Sequence, residues 1–298
     1  MSPAATQLLY TAETASLYSL ATLGLYLAFR VLRFPDFTAE GGFGLSALVG
    51  GMIMVTTGSP WLGLASAVAV GMLAGATTAL LANVVKLPTI LSSILTMTMC
   101  FSVGLLAAGK PSINLPDAWV LGSLHAFAGS SVAAGLIGGV GALLLIAFAL
   151  LLLLRTGTGL LLRVRGENPH LLKDMKHSLV VWDVFGLAIA NGIVGLAAVL
   201  LSQRAGYANI SMGRGVAIAA IAAIMLGEAI LRPRRPSTAF AACLVGTLIL
   251  QLVRLLALNL GIPDGGLDLV TSLLVIGFCW SLSRSPQHRE ALLERIRM

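Results

Sequence analysis

Charged residues are scarce in this chain. Only 10% of its 298 residues are Asp, Glu, Lys or Arg, while 57% are hydrophobic and the mean hydropathy is +0.95. Ordinary globular proteins carry about one quarter charged residues, so this composition excludes a soluble fold. Membrane helices of roughly 20 residues each would take up most of the chain. No room is left for a separate soluble catalytic domain.

Residues that carry out catalysis or bind metals are also few. The three cysteines lie inside apolar runs without a CxxC pair, and no histidine has a second histidine three or four positions away. We therefore expect neither a zinc site nor an intramembrane protease. The string GLLAAGKP (104–111) nearly matches GxxxxGK[ST]. It ends an apolar helix and has Pro in place of the hydroxyl residue, so we expect no cofactor and no ATP site in this chain.

Basic residues give the chain a net charge of +7 and a pI near 9.8. Nucleic-acid binding would need Lys and Arg clustered with polar and aromatic neighbours on exposed structure. Here they punctuate apolar runs instead, so we expect no nucleic-acid partner. Contact with an anionic lipid bilayer explains this placement better.

Apolar runs separated by turn residues or charges predict an all-α, polytopic transmembrane bundle of about nine spans, forming one domain over residues 1–298. The runs fall at 8–32, 39–57, 60–85, 88–109, 128–154, 179–202, 213–231, 238–260 and 265–283. The second run is short, rich in glycine and preceded by RFPDFTAE, which indicates a discontinuous or protein-buried helix.

The basic residues also predict the direction of the spans. Alternating the sides of nine crossings places 15 of the 19 Lys and Arg residues on one face. The positive-inside rule makes that face cytoplasmic, which puts the N-terminus outside and a tail of residues 284–298 in the cytoplasm. We expect a multi-pass protein of the bacterial cytoplasmic (inner) membrane.

The fourth run has the richest uncharged polar face. At 100° per residue a single stripe collects small polar side chains, while Thr98 lies opposite it. The stripe consists of Thr89, Ser92, Ser93, Thr96 and Cys100. Small hydroxyl residues also hold helices together in lipid, so dry packing and a transient solute path both remain open. The absence of a full charge would suit a neutral or zwitterionic solute.

The longest predicted cytoplasmic connection covers residues 156–178. Glu167 and Asn168 are placed to cap a short amphipathic helix that begins at Pro169, followed by His170. We expect Leu171, Leu172 and Met175 on one side of that helix. Such a helix could lie on the membrane surface or dock in a groove on another protein, and the residue pattern leaves both open.

Four stretches resemble, in order, permease subunits from the ribose and branched-chain amino acid branch of ABC importers. The stretch RVRGENPHLLKDMKHS resembles the cytoplasmic coupling loop of that family. The other three are RFPDFTAEGGFGLSALVGG, GRGVAIAAIAAIMLGE and STAFAACLVGTLILQLVRLLALNLGI. The turn EAILRPRRP (228–236) departs from a glycine-rich turn found in many members. The likeness is greatest to a subgroup linked with aromatic amino acids.

This resemblance implies the partners and the mechanism. It implies a homodimer or close heterodimer of permeases, two cytoplasmic ATPase subunits that bind ATP and Mg, and an extracytoplasmic substrate-binding protein. It also implies that residues 167–172 couple ATP-driven closure to alternating access for a small, amino-acid-like solute. An ion-coupled secondary carrier is the alternative function, although the chain has few ionisable groups deep in its spans.

Overall fold

The computed structural model describes residues 3–115, 131–233 and 236–283, and most of these residues are helical. Long apolar segments adopt helices because every backbone polar group in lipid must be satisfied within the segment. The α-helices are α1 (Pro3–Tyr26), α2 (Thr38–Thr57), α3 (Pro60–Asn83), α4 (Thr89–Ala108), α5 (Ser131–Arg155), α6 (Gly157–Glu167), α7 (Pro169–Asp174), α8 (Leu179–Ala205), α9 (Val216–Leu231), α10 (Pro236–Asn259) and α11 (Leu267–Ser283). The predicted tail, residues 284–298, lies outside the described residues, as do residues 128–130 of the fifth predicted span.

Each of the nine predicted spans contains a helix, and the all-α transmembrane class is confirmed. Within the described ranges, seven helices are long and apolar enough to cross a membrane. Helices α1 and α11 are not among these seven, and α11 has only 17 residues. The number nine is therefore approximate.

Two compact units divide the chain, residues 1–248 and residues 249–298. The boundary falls inside the continuous helix α10, so it does not test the prediction of a single permease domain. The first unit contains α1 to α9 and the first half of α10. The second contains the rest of α10 and α11, where Arg254 approaches the hydroxyl of Thr271 at 3.5 Å.

Helix α8 is the most buried long helix of the first unit and packs against α1, α2 and α3. Close approach to α3 depends on glycine: a Cβ at Gly71 or Gly75 would meet the carbonyl oxygens of Asn191 and Leu187. The small-xxx-small spacing in this span therefore serves packing inside one chain. A second such pair, Gly135 and Gly139 of α5, packs against α1.

Helix α2 is preceded by a break in the helical path. A π-helical turn, Leu27–Val31, follows α1, and the chain becomes irregular before Thr38. In the first turn of α2, Gly41 packs against the backbone of Met97. Met97 lies about 12 Å along α4 from Thr89, at 1.5 Å per residue. Helix α2 thus begins partway along α4, and 72% of its apolar stretch is buried, which confirms the prediction of a protein-buried helix. The break in the helical path lies before α2 and not within it.

Contacts between helix ends agree with the predicted alternation of sides. Strands β1 (Ser112–Asn114) and β2 (Tyr207–Asn209) pair antiparallel and join the two connections after α4 and α8, both predicted to be external. At the predicted cytoplasmic side, Arg30 donates to Glu228 with Nε–Oε1 at 2.9 Å. This ion pair connects the end of α9 to the π-helical turn that follows α1.

Candidate functional site

The predicted coupling loop is built from two consecutive helices, α6 and α7. Thr156 precedes α6, and its hydroxyl accepts a hydrogen bond from the backbone N–H of Gly159 at 3.4 Å. Asn168 separates the two helices, and its Oδ1 accepts the N–H of Leu171 at 3.2 Å. Pro169 occupies the first position of α7, where its missing N–H costs nothing. The capped short helix is therefore present, with Asn168 as the cap and Glu167 as the last residue of α6.

The sequence pattern predicted that the apolar side chains of α7 lie on one side of the helix. The structure shows that they do not. Leu172 is fully buried within the chain, while Leu171 and Met175 are 45% and 50% exposed. The two exposed residues are four positions apart and so lie on the same face of the helical turn. His170 and Glu167 are also exposed. The apolar surface available to another protein is thus Leu171 with Met175, and Leu172 anchors the helix inward.

Helix α6 is fastened to the transmembrane helices by an ion pair. Arg165 donates from a terminal nitrogen to Oδ2 of Asp183 in α8 at 2.7 Å, and its Nε also contacts this carboxylate. Asn83, at the end of α3, donates to the same Asp183 oxygen at 2.9 Å. Next to Arg165, a Cβ at Gly166 would meet the carbonyl oxygen of Val31. Asp183 thus connects α6 to both α3 and α8.

The predicted polar stripe of α4 forms one buried face. Ser92, Ser93, Thr96 and Cys100 are all buried, and Thr89 is partly buried. The serine and threonine hydroxyls bond to carbonyl oxygens of their own helix: Ser92 to Pro88 at 3.1 Å, Ser93 to Ile90 at 2.9 Å and Thr96 to Ser92 at 3.0 Å. These bonds let polar residues pack without a partner on a neighbouring helix.

Two members of this stripe border a cavity. Thr96 and Cys100 line a space of about 260 Å³ between α2, α3 and α4, whose other walls are almost entirely apolar. Small-molecule sites usually combine an apolar lining with a few convergent polar groups. This cavity has two hydroxyls, those of Thr77 and Thr96, and no charge. The stripe as a solute path stays a prediction.

A larger, more polar cavity lies on the opposite side of α4. Its volume is about 360 Å³, and it is bounded by the first turn of α2, the middle of α4 and the segment 210–214 before α9. It is lined by Glu40, Gly41, Met97, Thr98, Phe101, Ser102, Ile210, Ser211 and Arg214. The sequence did not predict this site, because its two charged residues, Glu40 and Arg214, are far apart in the chain. Thr98, which the helical pattern placed among apolar neighbours, is part of its polar wall.

The cavity is held in shape by close backbone packing. A Cβ at Gly213 would meet the carbonyl oxygen of Glu40, and a Cβ at Gly44 would meet that of Ile210. The segment 210–214 is also fixed by Asn209, whose Oδ1 accepts the N–H of Ser211 at 2.8 Å. Arg214 is thereby positioned across from the start of α2. Among the described residues, no group of three or more His, Cys, Asp or Glu could hold a metal ion.

A protein-family model matches almost the whole chain. The model for the permease component of the branched-chain amino acid transport system matches residues 7–279. The tyrosine transport system permease protein of Clostridioides difficile (strain R20291) is 30% identical over 263 residues, which cover 87% of this chain and 86% of that protein. An uncharacterised protein of Rickettsia prowazekii (strain Madrid E) is 29% identical over 290 residues, covering 96% of this chain and 99% of the relative.

A solved structure shares the fold. PsaBC from Streptococcus pneumoniae, determined in complex with a Fab, superposes with a TM-score of 0.57 over 97% of this chain and 94% of the matched chain. The two sequences are only 13% identical. The likeness therefore concerns the arrangement of helices and carries no residue roles across.

Proposed function

Since the chain belongs to the branched-chain amino acid transport permease family and is a multi-pass protein of the bacterial inner membrane, we propose that it is the membrane-spanning subunit of a binding-protein-dependent ABC importer. It moves a small solute by alternating access and does not itself hydrolyse ATP. ATP and Mg bind to a partner ATPase.

The observation that carries this proposal is the exposed apolar face of α7. Leu171 and Met175 project from a capped helix on the predicted cytoplasmic side, and Arg165 ties the preceding helix to α8. A helix that presents apolar anchors to a groove is a common mode of protein recognition. Docking of α7 in an ATPase groove therefore links nucleotide-driven movement to the spans through the pair between Arg165 and Asp183.

An amino acid, and an aromatic one first, is the proposed solute. The tyrosine transport permease relative supports this class through its name. Delivery falls to an extracytoplasmic binding protein. Two permease copies, forming a homodimer, face two ATPase subunits, in keeping with the prevalence of two-fold symmetry among oligomers.

The test is a single substitution on α7 in the complete transporter. Leu171→Asp places a charge on the surface proposed to dock, and a buried unpaired charge is costly. We expect at least tenfold loss of ATPase recovered with the purified permease and a parallel loss of ATP-driven tyrosine uptake in proteoliposomes. Leu171→Met keeps an apolar side chain at the same position and should retain both. Leu172 is unsuitable for this test because its replacement by Asp would disturb the fold itself.

Three outcomes would overturn the proposal. Normal ATPase recovery and uptake in Leu171→Asp would exclude α7 as the docking element. Uptake by the permease alone, driven by an ion gradient, would identify a secondary carrier instead. If no ATPase copurifies with the wild-type permease under gentle conditions, the proposed complex does not form.

A further inference from the structure

The polar cavity beside α4 lies at the level of the membrane interior. Its α4 residues run from Met97 to Ser102. Thr89 begins the helix about 12 Å on one side of them and Ala108 ends it about 9 Å on the other, at 1.5 Å per residue. Hydrophobic membrane cores are about 30 Å thick, so a site at this height is far from both surfaces.

Charged groups at that depth do not face lipid. A carboxylate or guanidinium in the middle of a bilayer costs several kcal/mol or more unless it meets protein, a water-filled cavity or a ligand. Glu40 and Arg214 contribute opposite charges to the same cavity, which remains open to its surroundings as Arg214, Thr98 and Ser102 are exposed. An open face with two opposite charges suits a water-filled path better than the lipid boundary.

The charges and the shape of the cavity fit one class of solute. We propose that this cavity binds a zwitterionic amino acid during passage, with Arg214 on its α-carboxylate, Glu40 on its α-ammonium group, and Phe101 and Met97 beside its side chain. The inference rests on the proposed function and specifies where its solute is recognised.

The cavity residues complement each chemical group of the proposed solute. An arginine fork binds a carboxylate through paired, charge-assisted hydrogen bonds, and a carboxylate binds an ammonium group in the same manner. Thr98, Ser102 and Ser211 supply hydroxyls that both donate and accept. Phe101 offers an aromatic face, and Met97 a polarisable thioether that contacts aromatic rings favourably. The volume of about 360 Å³ falls within the range of small-molecule sites.

The apolar cavity on the other side of α4 is a poorer candidate. It has hydroxyls but no charge to replace the water lost by a zwitterion. Desolvating an ammonium and a carboxylate without opposite charges is strongly unfavourable. An amino acid therefore prefers the cavity that contains Glu40 and Arg214.

Equilibrium binding to the full-length permease in lipid nanodiscs tests the site. The probe is radiolabelled L-tyrosine, and the competitors are tyramine, which lacks the carboxylate, and desaminotyrosine, which lacks the amine. Each competitor should bind at least about tenfold more weakly than tyrosine to the wild-type chain, since a hydrogen bond to a charged group is lost. Arg214→Gln should abolish the preference for tyrosine over tyramine, and Glu40→Gln the preference over desaminotyrosine.

The controls separate loss of the site from loss of the fold. Lys110→Gln removes a positive charge from the predicted external connection, outside the cavity, and should bind tyrosine as the wild type does. All variants should elute as single peaks in gel filtration. Unchanged selectivity in both cavity variants, or no tyrosine binding by the wild-type chain, would overturn the inference. If uptake and ATPase recovery persist in that case, the site fails while the proposed function stands.

Discussion

Asp36 is a buried carboxylate that holds the broken start of α2 in place. Its Oδ1 accepts the N–H of Thr38 at 2.9 Å, and its Oδ2 accepts the amide of Asn191 at 2.6 Å. The hydroxyl of Thr38 in turn bonds that of Thr78 at 2.6 Å. These bonds connect the start of α2 with the last third of α3 and the middle of α8. The position of Glu40, two residues after Thr38, depends on this network.

We predict that Asp36→Ala destabilises the protein by about 2–3 kcal/mol, because it leaves the buried N–H of Thr38 without its acceptor and removes one of the two acceptors of the Asn191 amide. The measurement is thermal or denaturant unfolding of the permease in detergent. Ser66→Ala is the control, since the Ser66 hydroxyl bonds only the nearby carbonyl of Gly63. Equal stability of the two variants would contradict a structural role for Asp36.

At the scale of single residues, helix-capping signals could be predicted from the sequence. Contacts between residues far apart in the chain could not. Asn168 and Pro169 carry their own capping chemistry, so a short helix after them could be predicted. Glu40 and Arg214 share a cavity only because α2 begins deep and the segment 210–214 descends to meet it. No spacing rule connects two such segments. The inward turn of Leu172 was also hidden, since α7 is too short for its pattern to reveal which side is packed.

Among the helices, α6 is the element that links the cytoplasmic surface to the spans. Arg165 is 15% exposed and Asp183 is 1% exposed, so their ion pair is largely sheltered from water. Removing one partner of a buried pair leaves the other charge without compensation. Helix α6 should therefore tolerate loss of both charges better than loss of one.

We expect Asp183→Leu to destabilise the protein by about 3–5 kcal/mol, and the double variant Arg165→Met with Asp183→Leu to regain most of that loss. Unfolding measurements on both single variants and the double variant give the coupling energy of the pair. Uptake should remain low in the double variant, because the tie between α6 and α8 is gone although the fold is restored. Full uptake in a stable double variant would show that the pair serves stability alone.

Helix α4 presents different surfaces to two cavities, and thiol labelling distinguishes them. In a chain with Cys243 and Cys279 replaced, we predict that Cys100 reacts slowly with a small water-soluble thiol reagent and that its rate changes between ATP-bound and nucleotide-free transporter. With Cys100 also replaced, Ser102→Cys should react at least tenfold faster, since it lies on the open polar cavity. If Cys100 is unreactive in every state and bulky residues at Ser93 and Thr96 leave transport intact, the buried stripe is only packing.

Over the whole molecule, the distribution of basic residues determines which way the spans run. The 15 basic residues assigned to one face make that face cytoplasmic under the positive-inside rule. Contacts in the fold are consistent with this alternation, because Arg30 meets Glu228 near one side and Arg204 meets Glu13 at 2.6 Å near the other. The tilt and depth of single helices could not be predicted in the same way, since they follow from packing between helices.

The orientation is tested by reporter fusions placed after residues 58, 86, 120, 165, 208, 234 and 263. We predict that external and cytoplasmic activity alternate along this series, beginning with the external side after residue 58. Fusions after residues 165 and 208 are the most informative pair, because α8 alone separates the coupling loop from the strand β2. If both report the same compartment, α8 does not cross the membrane, and the predicted alternation of the spans is wrong.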